Sequence, residues 1–253
     1  MIQVKNLSFE YVTGQPVFLD FNWSVNKGES WTILGPSGCG KSTLLYLVAG
    51  IRQALFGEIL VDGEQLIRPR PQSGLIIQDY GLLPWASVRE NVALGLEVRR
   101  FYGPDGKHAP IDATLSEYDI DYWLDQLGLT NQSEKFPGQI SGGQRQRTAI
   151  ARTLVLKPDL LLMDEPFSSL DAPTRESMQT LVIDLWKEHD LTLITVTHSI
   201  EEAAILGQKI LLLNDPPNLS ANVIENNSFG KAEVRSDPDY QKLCQILREQ
   251  LSR

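Results

Sequence analysis

Trp31-Thr32-Ile33-Leu34-Gly35-Pro36-Ser37-Gly38-Cys39-Gly40-Lys41-Ser42 decides the fold of this chain. Its first four residues are a short apolar run that stops at a glycine, as a buried strand does. The next eight fit the pattern G-x-x-x-x-G-K-[ST]. A helical pattern follows over residues 41–49. Strand, glycine-rich turn and helix, in that order, make a phosphate cradle. The glycines free the backbone to turn its N–H groups onto phosphate oxygens, and the helix offers its positive N-terminal end. Gly35, Pro36, Ser37, Gly38, Cys39 and Gly40 form the loop, and Thr43 lies in the first helical turn. Lys41 is expected to reach the β- and γ-phosphates, and Ser42 to ligate Mg²⁺ through its hydroxyl. Cys39 is read as a tolerated small residue whose thiol, beside the nucleotide, is open to alkylation.

A second strand end supplies metal and water chemistry. Leu160-Leu161-Leu162-Met163-Asp164-Glu165-Pro166 is an apolar run that ends in two acids. A carboxylate at the carboxyl end of a buried strand lies where α/β sheets bind their ligands. Asp164 is expected to hold Mg²⁺ through water. Glu165, one residue on, points elsewhere and can polarise an attacking water. Cradle and acidic pair together indicate binding and hydrolysis of a nucleoside triphosphate.

The rest of the sequence sets the frame. With 253 residues, 42 % apolar and 22 % charged, the chain is globular, as one large domain or two small ones. A net charge of −9 argues against nucleic acid as a partner. Two cysteines, Cys39 and Cys244, make neither a disulfide framework nor a cysteine-rich metal site. No apolar run approaches ~18 residues, and the N-terminus lacks signal-peptide blocks. The chain therefore reads as cytosolic, or peripheral to a membrane through a partner. Strand patterns fall within residues 1–34 and at 57–61, 74–77, 160–163 and 191–196, and helical ones at 119–127, 142–156 and 175–189. That alternation argues for a mainly parallel sheet with helices on both faces. Residues 99–118, with Gly103, Pro104, Gly106 and Pro110, read as a surface loop or insertion. Tyr240, Leu243, Cys244, Leu247 and Leu251 share one helical face, as in a helix docked on a core.

One stretch narrows the class. Ile140-Ser141-Gly142-Gly143-Gln144-Arg145-Gln146-Arg147 closely resembles the signature motif of ATP-binding cassette (ABC) proteins, with Ile140 where leucine is usual. Ser141, Gly142 and Gly143, followed by Gln144, head a helix and so form a second anion site. In the family, two copies pair head to tail, and each signature closes on the other copy's γ-phosphate. Further positions match by resemblance. Gln78 looks like the Q-loop glutamine, which approaches Mg²⁺ and couples to the membrane partner. Ser168-Ser169-Leu170-Asp171 resembles the D-loop, with Ser169 where alanine is usual, and Asp171 would carry its cross-dimer role. His198 looks like the switch histidine that contacts the γ-phosphate, with Ser199 after it in place of the frequent aspartate. Tyr11 is similar to the aromatic residue that stacks on adenine, with Phe9 as a less favoured stand-in. His108 and His189 receive no role.

The resemblance implies an α/β, P-loop NTPase fold of the ABC ATPase type. It has a mainly parallel sheet core, an antiparallel β subdomain and a helical subdomain. A single nucleotide-binding domain would cover residues 1–215, with the helical part at about 85–157 and the insertion at 99–118. Residues 216–253 would form a C-terminal extension with a docking helix. The implied function is an ATPase, using ATP and Mg²⁺, that powers a membrane transporter. Its partners would be a second ATPase subunit, permease subunits and an extracytoplasmic substrate-binding protein, with the chain on the cytoplasmic side of the membrane. Residues 78–85, ending Leu82-Leu83-Pro84-Trp85, and 88–92 are similar to importers of the nitrate, sulfonate and taurine type. The alternatives are an exporter or lipid-handling system and, more remotely, a non-transport ABC ATPase.

Overall fold

A computed structural model describes residues 1–111, 118–231 and 234–251. In chain order the strands and helices begin β1 (Ile2–Val12), β2 (Gln15–Val25), β3 (Ser30–Leu34), α1 (Lys41–Val48), β4 (Phe56–Val61), β5 (Glu64–Gln65) and β6 (Ser73–Ile76). Next come α2 (Val88–Tyr102), α3 (Tyr118–Gln126), α4 (Gly142–Leu154), β7 (Leu160–Asp164) and α5 (Ala172–His189). The chain closes with β8 (Thr192–Thr197), α6 (Ile200–Leu206), β9 (Lys209–Leu212), β10 (Asn222–Glu225) and α7 (Pro238–Leu251). The chain divides into two compact units, Met1–Pro69 with Gln179–Arg253, and Arg70–Met178.

The first unit carries an antiparallel sheet in the order β2-β1-β4-β5. Alternation in β1 and β2 sends Ile2, Val4, Phe21, Trp23 and Val25 inward, the period-two pattern of a sheet with one buried face. The same unit has β3 between β8 and β9, parallel to both, with β10 antiparallel on the outside of β9. Every residue of β3 and of β8 is buried, as expected for strands covered on both faces. Hydroxyls on β3 tie down α6: Ser30 donates to the Leu206 carbonyl and Thr32 to that of Ala203.

The second unit pairs β6 with β7 in parallel, Ser73 opposite Leu160 and Ile76 opposite Met163. Helices α2, α3 and α4 pack on one another, and α4 lies on β6. Helix α2 starts with a capping box, in which Ser87 accepts from the Glu90 N–H and Glu90 from the Ser87 N–H. It then continues through Tyr102, so residues 99–102 are helical and not the start of a loop. The cause is Arg99, which is 6 % exposed. Its guanidinium donates to the Leu156 carbonyl at 2.8 Å and to that of Pro71 at 2.7 Å, holding the last turn of α2 in place. Residues 103–111 are turns and bends, and the part of the expected insertion at 112–117 lies outside the described residues.

Candidate functional site

In the first unit the loop between β3 and α1 is built around backbone constraint. Gly40, the residue before α1, has φ 107°, and a Cβ there would sit 2.6 Å from Val17 Cγ1. At Gly35 a Cβ would meet the Leu213 carbonyl oxygen at 2.5 Å. Both positions therefore need glycine. No side chain caps the N-terminus of α1, and its first turn holds no acid, so its amides are suited to an anionic ligand. Lys41 is buried and donates to the Gly35 carbonyl at 2.9 Å and the Pro36 carbonyl at 2.8 Å, which holds its charge over the loop. Pro36, Ser37 and Gly38 face solvent. Cys39 does not: it is fully buried, and burial pushes its thiol above the ordinary range. The expectation of an alkylatable thiol is thus corrected, because both access and thiolate are suppressed. Cys39 serves the loop through its backbone.

A residue that sequence reasoning passed over holds that backbone. Asn218 is buried, and its Nδ2 donates to the Cys39 carbonyl at 2.9 Å and the Val17 carbonyl at 3.3 Å. Its Oδ1 accepts the Asn214 N–H at 3.1 Å. Nothing local marks it, since its partners lie 179 and 201 positions away along the chain.

Tyr11 lies in the same unit, 55 % exposed, with its hydroxyl 3.0 Å from the Thr43 Oγ1. The Arg52 guanidinium stands 4.8 Å from its ring centroid, a cation–π contact. Phe9 packs edge-on against Tyr11 but is buried in the core, so of the two rings only Tyr11 is open to a base. His198 is exposed in the turn between β8 and α6. The Ser199 beside it caps α6, its Oγ accepting the Glu202 N–H at 3.2 Å. Its own N–H donates to the Thr197 Oγ1, and that hydroxyl donates to Glu202. Serine thus performs the capping that an aspartate would.

The second unit holds the acids and the signature. Asp164 ends β7 and is 4 % exposed. Glu165 follows with φ 46°, a left-handed backbone that is strained for a residue with a Cβ and persists only where its surroundings impose it. Its carbonyl accepts from Ser168, from the N–H at 3.3 Å and the hydroxyl at 3.0 Å. Gln78 sits exposed in a turn two residues beyond β6. Ser141 caps α4: its Oγ accepts the Gln144 N–H at 3.3 Å, and the Gln144 side chain accepts the Ser141 N–H at 2.9 Å. A hydroxyl that accepts there still has its own proton to give to an anion. Gly143 packs so closely that a Cβ would lie 2.7 Å from Thr174 Cγ2. Asp171 accepts the Thr174 N–H at 3.1 Å and its hydroxyl at 2.9 Å; these bonds hold its carboxyl below the usual range. It is therefore an ionised cap for the start of α5.

Among the described residues no cluster of three or more His, Cys, Asp or Glu forms a cage for a metal. Asp164, a buried carboxylate, suits Mg²⁺, which commonly takes one or two protein ligands and completes its shell with phosphates and water.

The family profile described as ABC transporter matches residues 18–168. The chain belongs to the ABC transporter family. The taurine import ATP-binding protein TauB of Pseudomonas aeruginosa is 39 % identical over 97 % of this chain and 92 % of its own length. The aliphatic sulfonates import ATP-binding protein SsuB of Bacillus anthracis is 39 % identical over 92 % of this chain and 88 % of its own. Among solved structures, the dimeric ATP-binding cassette MJ0796, bound to ADP and Pi, superposes with a TM-score of 0.75 at 28 % identity, covering 90 % of this chain and 99 % of that one. The expected ABC ATPase fold is borne out, with parallel strands, an antiparallel sheet and helices. This ABC chain is an ATP-binding ATPase that powers a transporter. Among its described residues no helix is long and apolar enough to cross a membrane.

Proposed function

We propose that this ABC ATPase drives import of a small organic anion of the sulfonate class, from the cytoplasmic face of the membrane. The observation that carries the reading is 39 % identity over 97 % of the chain to a taurine importer ATPase, joined by a sulfonate importer ATPase at the same identity. Cargo would be delivered by an extracytoplasmic binding protein, since the cassette itself does not contact it.

The residues take these roles. Tyr11 stacks on adenine. The loop Gly35 to Gly40 with Thr43 wraps the phosphates, and Lys41 neutralises the β- and γ-phosphate charge. Ser42, Asp164 and Gln78 would hold Mg²⁺, which supplies charge neutralisation on the phosphate oxygens when bound. Glu165 polarises the attacking water and His198 contacts the γ-phosphate. The partner subunit's Ser141, Gly142, Gly143 and Gln144 approach that same phosphate, and Asp171 acts across the dimer. ATP thus joins two copies, and cleavage removes the joint. Because the ligand binds the closed state better than the open one, this is differential affinity used as a switch.

The test is uptake of labelled taurine and of a short alkanesulfonate in the native cell, wild type against Lys41→Ala. Uptake is expected to collapse in the variant for at least one of the two compounds. Unchanged uptake of both would refute the cargo class. Gentle detergent purification with mass spectrometry is expected to recover a permease and a substrate-binding protein with the chain.

A further inference from the structure

Two loops of the second unit are joined by a pair of hydroxyls. The Tyr80 phenol oxygen lies 2.6 Å from the Ser169 Oγ, although the residues are 89 positions apart. Tyr80 follows Gln78 by two residues; Ser169 follows Glu165 by four.

Each loop is held in a backbone conformation that its sequence does not favour. Tyr80 is 7 % exposed with φ 62°, and Glu165 has φ 46°. Left-handed backbone at a residue with a Cβ needs support from outside. On the Tyr80 side the support is a closed turn and an arginine. The Tyr80 N–H donates to the Ile77 carbonyl at 2.9 Å, which folds Gln78 and Asp79 into the turn. Arg152, in the last turn of the signature helix α4, donates to the Tyr80 carbonyl at 2.6 Å and to the Gly81 carbonyl at 2.5 Å. On the Glu165 side Ser168 closes the turn onto the Glu165 carbonyl. The hydroxyl pair joins these two supported turns beside an open cavity of about 380 Å³ whose lining includes Gln78, Arg145 and Ser168.

We infer that Tyr80 and Ser169 are a positioning pair for ATP hydrolysis, tying the loop of Gln78 to the loop of Glu165 so that the two shift together through the cycle. This rests on the proposed roles of Gln78 and Glu165. Neither hydroxyl takes part in the chemistry. The pair fixes the relative placement of two groups that do, and a small misplacement of a catalytic group is costly in rate.

The test is steady-state ATPase kinetics of the full chain for wild type, Tyr80→Phe, Ser169→Ala, the double variant, Ser169→Thr and Glu165→Gln. Loss of one net hydrogen bond corresponds to a rate loss of about three- to tenfold. Each hydroxyl deletion is expected to lower kcat by that factor while KM for ATP stays within about twofold. The double variant is expected to be no slower than the slower single one, because both remove the same bond. Ser169→Thr, which restores a hydroxyl, is expected to recover the wild-type kcat. A merely structural role would give no such split and no rescue. An active wild type with unchanged single variants, or with losses that multiply in the double, would overturn the pair alone. A wild-type rate no higher than that of Glu165→Gln would overturn the Glu165 assignment and the pair with it.

Discussion

Asn218→Ala removes the side chain that braces the phosphate loop from behind. Three hydrogen bonds go: two donated by Nδ2, to the Cys39 and Val17 carbonyls, and one accepted by Oδ1 from Asn214. The residue is buried, so the groups left behind do not regain water easily. At about 1 kcal/mol for each neutral bond, the cost is about 3 kcal/mol. For a chain of this size each kcal/mol moves Tm by roughly 2–4 °C, so Tm is expected to fall by about 6–12 °C in differential scanning calorimetry. The Cys39 carbonyl belongs to the cradle, so a loosened loop must also be ordered when ATP binds. Loss of that one bond is worth about fivefold in affinity, and ATP Kd by titration calorimetry is expected to rise by about that factor. Asn218→Asp keeps the size and the acceptor oxygen but loses both donations and sets a charge against two carbonyls. It is expected to be at least as damaging as alanine. A Tm within 2 °C of wild type together with an unchanged Kd would refute the brace.

Arg99→Met keeps an apolar stem but removes both donations to the Leu156 and Pro71 carbonyls. It is expected to cost about 3–6 kcal/mol in urea unfolding, because bonds from a charged donor are the stronger kind; no change would mean that the end of α2 does not depend on it. Glu29 gives a pH dependence. Burial alone would raise its carboxyl, but the Lys209 ammonium at 2.8 Å and the N–H donors of Asn26 and Trp31 outweigh it, holding the pKa at about 2. A depressed folded pKa gives stability that is present above pH about 4.5 and lost as pH falls toward 2. Between pH 6 and pH 3.5 wild type is expected to lose about 1 kcal/mol more than Glu29→Gln, after allowance for solvent screening; equal losses would contradict the ion pair.

The parts of the molecule legible in the sequence are those whose reason is local. The run 31–34 stops at Gly35 because a strand buried on both faces is apolar throughout and the loop after it must turn sharply. β7 reads the same way, apolar to Met163 and then acidic. Ser199 stood out in the sequence as a departure from aspartate, and only the bond to the Glu202 N–H gives the reason for it. Arg99 sits in a glycine- and proline-rich neighbourhood whose composition signals a loop. Its helical state is set by carbonyls 28 and 57 positions away, and no local pattern contains them. The same holds for Asn218 and for Tyr80 with Ser169: the residue types are ordinary, and their roles are created by contacts that only the folded chain brings about. Tyr11 was legible by resemblance, whereas the Arg52 guanidinium over its ring was not.

The role proposed for Glu165 is to let a bound ATP be cleaved. The most direct measurement is light scattering after size exclusion, with and without MgATP, on purified Glu165→Gln alongside ATPase rates. Binding without cleavage is expected to give an ATP-dependent dimer, with turnover lowered by on the order of 10²-fold. A variant that stays monomeric with MgATP and hydrolyses at the wild-type rate would contradict it.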